Sequence, residues 1–293
     1  MPASRRMNHA AATVLIAALS AGCTTATPRD VGTHGGAAPV TDPATSAALD
    51  AAIAGDHRSE SSRARDVYRH PRETLTFFGL RRDMTVMEIW PGAGGWYTEI
   101  LAPVLRERGR LIAASWDPDM DNRFVQDGLA AYRAKLDARP DVYGKVEVVA
   151  LHYPTKMAPV PPASVDMILT FRNIHNWMPR DAAVPMLQAM FAALRPGGIL
   201  GVVEHRAKND EPQDPEARSG YVREDYAVAL VESVGFELLG RSEVNANPSD
   251  TKDYERGVWT LPPTLRLAEK DRDRYLAIGE SDRFTLKFRK PLD

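Results

Sequence analysis

From about residue 71 to its last residues the chain alternates short, continuously apolar runs with amphipathic stretches, and few folds accept that pattern. Thr85–Trp90, Arg110–Trp116, Val146–Leu151, Val165–Phe171, Ile199–Glu204 and Phe236–Val244 read as strands, with a last one at Arg283–Arg289. Between them Trp96–Arg108, Arg123–Ala138, Arg180–Leu194 and Arg223–Val234 read as helices, and Pro71–Phe78 as a short helix with proline in its first turn. A strand that faces water on one side alternates polar and apolar residues, whereas a strand apolar throughout is buried on both sides. Helices between such strands supply the covering layers. The expected class is therefore α/β, a doubly wound and mainly parallel sheet with right-handed crossovers. At 293 residues and 44% hydrophobic the chain is long enough for one large core, and the reading places a single domain over residues 61–293.

The first 60 residues differ. Arg5 and Arg6 precede a short apolar segment, Ala10–Ala18, too short to span a bilayer. Leu19-Ser20-Ala21-Gly22-Cys23 follows, in the layout of a secretory signal with small residues before the cleavage point. That ending resembles a bacterial lipobox, which implies a signal peptide over 1–22 and a lipidated Cys23 as the mature N-terminus. Thr24 in place of aspartate implies, by the same resemblance, the periplasmic face of the outer membrane. Residues 23–60 are mostly Ala, Thr, Gly, Pro, Ser and Asp and read as a flexible tether, with a short helix near Ala47–Ala54. Cys23 is the only cysteine, which excludes an internal disulfide and a cysteine zinc site. The net charge is −2 and the basic residues are scattered, so nucleic acid is not an expected partner. The expected partners are a small-molecule substrate and, through the lipid anchor only, a membrane.

Glu88-Ile89-Trp90-Pro91-Gly92-Ala93-Gly94-Gly95 joins the first strand to a helix. In a doubly wound sheet ligands bind beyond the carboxyl ends of the strands, and glycines there let the backbone approach closely. Asp117 ends the second strand at roughly the spacing at which an acid takes ribose hydroxyls. The ordered set resembles the class I S-adenosylmethionine-dependent methyltransferases. Glu88 takes the place of the family's first acid, Gly92 and Gly94 match its later loop glycines, Asp117 matches its ribose-binding acid, and Trp90 replaces its first glycine. Asp166 in Ala163–Ile168 and the Leu194-Arg195-Pro196-Gly197-Gly198 turn continue the likeness. It implies a seven-stranded Rossmann-like sheet of order 3-2-1-4-5-7-6 with the last strand antiparallel, and S-adenosyl-L-methionine as methyl donor. Phe171-Arg172-Asn173-Ile174 echoes a segment of ubiquinone/menaquinone C-methyltransferases. The whole chain is similar to uncharacterised bacterial proteins labelled methyltransferases that carry lipoprotein signals.

His152, His175 and His205 fall at strand ends, but no metal is expected. In the implied strand order the third and fourth strands stand three spacings apart, about 14 Å, which separates His152 from the other two. His175 follows the fourth strand and is the candidate base for the acceptor's proton. Arg172 is the candidate partner for an anionic acceptor, and both Arg172 and His152 are candidates for donor contacts. Glu204 and His205 end the fifth strand, and Trp259–Tyr275 is a candidate cover over the acceptor. The expected function is methyl transfer to a small molecule, amphiphilic if the lipid anchor is any guide. An exported domain is not expected to be supplied with S-adenosylmethionine. The alternative is accordingly a non-catalytic envelope lipoprotein that binds a nucleoside-like or amphiphilic ligand with the same fold.

Overall fold

Strands β1 (Thr85–Ile89), β2 (Arg110–Ser115), β3 (Glu147–Ala150), β4 (Val165–Phe171), β5 (Leu194–His205), β6 (Glu237–Ser242) and β7 (Arg283–Arg289) form one sheet of order β3-β2-β1-β4-β5-β7-β6. The first five run parallel, and β7 lies antiparallel between β5 and β6, as expected. These are the features of a computed structural model that describes residues 42–293. The signal segment 1–22, Cys23 and the tether as far as residue 41 lie outside the described residues.

Alternate residues of the central strands feed two cores. Met87, Ile89, Ile112 and Ile168 face one layer, and Val86, Leu111, Met167 and Leu169 face the other. Burial on both sides holds for the centre of the sheet and fails at its edges. In β3, Val148 is exposed, and β6 alternates exposed and half-buried residues, because an edge strand of this sheet has no helix across all of its outer face. The Pro-Gly-Gly turn is not a loop between helix and strand. It forms the first part of β5, with a register shift against β4, and Gly197 takes φ 78° there.

The expected tether is shorter than residues 23–60. Residues 43–54 form helix α1, Pro43–Ala54, with Asp42 accepting from the backbone N–H of Ala44 (3.1 Å) and Thr45 (2.9 Å). Proline in the first turn and an aspartate cap set the helix start. Leu49 is fully buried and Ala52 nearly so, in the core they share with α2 (Pro71–Phe78) and α3 (Thr98–Leu105). The domain therefore begins no later than Asp42, and an alanine-rich run gains its helix from packing. The segment after α1 grips α3. His57 Nε2 lies 2.8 Å from the Glu99 carbonyl, buried Arg58 pairs with Glu99 (3.4 Å) and Asp66 (2.7 Å), and Trp96 Nε1 donates to the Ser62 carbonyl (2.9 Å). Helices α4 (Arg123–Ala138), α5 (Ala183–Ala193), α6 (Glu224–Glu232) and α7 (Arg272–Ile278) complete the layers. No helix among the described residues is long and apolar enough to cross a membrane.

Candidate active-site cleft

The loop after β1 uses its glycines for different physical ends. Gly92 takes φ 70°, a left-handed conformation that disfavours side chains, and a Cβ there or at Gly94 would meet nothing within 4 Å. The side-chain positions of both face open space, while the Gly94 carbonyl accepts from Nζ of Lys135. Gly95 faces inward, where a Cβ would come 2.6 Å from Cε2 of Tyr132 on α4, so it lets the loop close onto that helix. Glu88 does not reach the loop's open side. Strand parity points it into the layer under α3 and α4, where it is 2% exposed and accepts from Thr98 Oγ1 at 2.6 Å. Burial raises its pKa to about 7, against the opposing pull of the Thr98 hydrogen bond and Lys135.

Trp90, at the end of β1, takes a left-handed backbone with φ 46°, uncommon for so large a residue. Its N–H donates to the Ala114 carbonyl on β2 (2.8 Å), and its indole Nε1 donates to the Leu151 carbonyl after β3 (2.8 Å). The ring therefore crosses the carboxyl end of β2, between Trp116 (6.4 Å) and Trp177 (6.0 Å). Asp117 is 4% exposed and spends its oxygens on the Asp119 N–H (3.0 Å) and the Thr155 hydroxyl (2.8 Å). The Asp119 hydrogen bond leads in holding its carboxyl below the usual range. His152 bridges to Lys156 and Thr155 at the far edge, and burial lowers its pKa. Of the donor-binding candidates, Gly92 and Arg172 line the central cleft; Glu88, Gly94, Asp117 and His152 do not.

That cleft, of about 340 Å³, opens over the carboxyl ends of β1, β4 and β5. Gly92, Trp116 and Phe124 form one end; Arg172, His175 and Trp259 form the other. Arg172 is held at φ 63° by its N–H bond to the Val203 carbonyl (2.7 Å), a left-handed backbone that is strained for a residue with a Cβ and one typical of functional positions. His175 lies on a one-turn helix, Ile174–Trp177, and its Nδ1 is 2.9 Å from Oε1 of Glu204. Glu204 is fully buried and also accepts the backbone N–H of His205 (2.8 Å). Both Glu204 oxygens accept backbone N–H groups, from His175 (3.3 Å) and His205 (2.8 Å), so the acceptor role falls to the carboxyl; His175 is assigned its proton on Nδ1, with the lone pair on Nε2. His205 packs against His175, ring centres 5.3 Å apart, and burial, then His175 and nearby arginines, push its pKa well down. Sequence reasoning placed His175, Glu204 and His205 at adjacent strand ends, and the structure brings them together. Their ligand atoms lie within 4.8 Å of one another, while His152 stands apart at the sheet edge. The expected cover contributes Trp259 and Pro262–Thr264. Sequence reasoning missed Glu280 and Ser281. The signal was available, since β7 runs antiparallel and Arg283 pairs with His205, so the residues just before it must reach the same edge.

No family model matches the chain, and no curated protein matches it. Solved structures resemble it through most of its length. One is a SAM-dependent methyltransferase from Aquifex aeolicus, 17% identical, covering 78% of this chain and 93% of its own, with a TM-score of 0.51. Another is the [4+2]-cyclase SpnF, 15% identical over 85% of this chain and 94% of its own, at 0.54. A third, described as a sarcosine dimethylglycine methyltransferase from Galdieria sulphuraria, is 12% identical over 79% and 85%, at 0.51. The strand order and these likenesses together give the chain the Rossmann-like fold of the S-adenosylmethionine-dependent methyltransferases.

Proposed function

We propose that the protein transfers a methyl group from S-adenosylmethionine to a small molecule, with the cleft over β1, β4 and β5 as its active site. The carrying observation is the pairing of His175 with fully buried Glu204 beside a glycine-lined opening. The residues present fit the donor at that end. The Gly92 backbone lines the cleft with no neighbour where a side chain would stand, and Trp116 and Phe124 offer aromatic faces for a flat base. Each Asp117 oxygen accepts one hydrogen bond, from the Asp119 N–H or the Thr155 hydroxyl, and keeps a lone pair for a ribose hydroxyl. When bound, the donor supplies an electrophilic methyl group. The chain's own residues align the acceptor and manage its proton. Glu204 fixes the ring of His175, and Nε2 of His175 accepts the proton the acceptor loses. His205, kept neutral, adds no charge to compete for that proton.

Calorimetry of the protein with S-adenosylmethionine and S-adenosylhomocysteine tests this reading. Micromolar binding that weakens in Asp117→Ala supports it, and no heat at millimolar ligand removes it. The second reading, a non-catalytic binding protein, is favoured by one observation: the Trp90 indole crosses the carboxyl end of β2, where a nucleoside would lie. We also propose attachment to the cell envelope through Cys23. Mass spectrometry of the mature N-terminus decides it, an uncleaved and unmodified Cys23 counting against.

A further inference from the structure

We infer that the methyl acceptor, or other ligand of the cleft, carries an oxyanion that Arg172 receives. The inference deepens the proposed function and rests on it only for the word acceptor. Four guanidinium groups converge under the β4–β7 end of the cleft, from Arg65, Arg69, Arg172 and Arg283. The carboxylate that reaches them is Glu280, which takes Arg65 (2.6 Å), Arg69 (3.0 Å) and Arg283 (2.9 Å). Arg69 and Arg283 are 1% and 3% exposed. Each leaves a nitrogen without a partner, Nη2 of Arg69 and Nε of Arg283. Arg172 lines the cleft, and among the described residues its guanidinium makes no hydrogen bond or ion pair.

Burying several like charges with one counter-charge is costly unless an opposite charge arrives. The strain is visible in both directions. Burial and then the neighbouring Arg172 push the Arg69 pKa down. Burial works against Glu280, yet the arginines hold its carboxyl far below the ordinary range. The one guanidinium that opens to the cleft is the one without a partner, and a planar fork suits a carboxylate or a phosphate. The same surplus of positive charge argues against a cation at His175, Glu204 and His205, although their ligand atoms lie close. The anion would sit beside Nε2 of His175, with the rest of the ligand against Trp259.

The test needs neither donor nor turnover. The full-length protein is titrated with inorganic phosphate and, separately, acetate at constant ionic strength made up with chloride, reading thermal midpoint and calorimetric heat. Expected are a rise in midpoint with phosphate or acetate beyond the chloride control, an affinity about 10- to 100-fold weaker in Arg172→Ala, and partial recovery in Arg172→Lys. No response in the wild type, or an equal response in Arg172→Ala, overturns the inference. Phosphate that leaves the affinity for S-adenosylhomocysteine unchanged supports an acceptor site. Phosphate that competes with it overturns that assignment, placing Arg172 on the donor's own carboxylate. Failure of the donor to bind at all would sink the methyltransferase reading and leave the anion titration intact.

Discussion

Glu88 provides a quantitative check on the loop's interior. Its carboxyl is 2% exposed, and burial raises its pKa from 4.5 to about 7, so the folded state holds a proton that the unfolded chain releases at lower pH. Between those two values the native state binds more protons than the unfolded one, and stability falls as pH rises through the window. Below about pH 4.5 both states are protonated and no cost is paid; above about pH 7 the full cost is present, about 3 kcal/mol at ~1.4 kcal/mol per tenfold change in proton affinity. Glu88→Gln retains an acceptor for the Thr98 hydroxyl and carries no charge. Urea unfolding of both proteins from about pH 4.5 to about pH 8, with equal m-values, should show the variant gaining about 3 kcal/mol on the wild type across that range. A constant difference at every pH would refute the buried-carboxyl argument, because it would mean that the group ionises in the fold as it does in water.

Three further substitutions probe other elements. Leu49→Ala should cost about 2–4 kcal/mol in urea unfolding, since the side chain is fully buried under α1; no loss would detach α1 from the domain. Gly95→Ala should cost about 2 kcal/mol, from its φ of 52° and the 2.6 Å approach to Tyr132, and a neutral result in thermal unfolding would mean that α4 yields freely. Trp90→Gly should lower stability by about 2 kcal/mol through the lost indole bond and packing, yet tighten S-adenosylhomocysteine in calorimetry. Weaker binding would show that the indole is a wall of the nucleoside site rather than its plug.

The sheet was legible because five central strands are buried on both sides, and such strands announce themselves as apolar runs whatever their neighbours are. Edge strands β3 and β6 were placed correctly but with the wrong exposure, since local sequence does not say which strand ends a sheet. Gly92, Arg172 and His175 were found at the cleft because their positions follow from where strands end. Glu88 was drawn to the loop by its nearness in sequence, and strand parity sends its side chain the other way. Helix α1 was expected as a short helix near Ala47–Ala54 inside the tether; its docking was missed because its core contacts are few, chiefly Leu49 and Ala52, in an alanine-rich run. The wall formed by Glu280 and Ser281 joins the site from more than a hundred residues beyond Arg172, a distance bridged by the antiparallel strand and by nothing local.

The grip of the N-terminal segment on α3 gives the domain a mechanical order. A pull on the chain ahead of Asp42 enters through α1, passes to Arg58 and its pairs with Glu99 and Asp66, and arrives at the helix that the glycine loop opens. A second route runs from buried Thr45 to the Arg82 N–H, just ahead of β1. A protein held by its leading end would thus bear its load beside the loop that lines its cleft, and any partner that tugs or seats that end gains a handle on the ligand site without touching it.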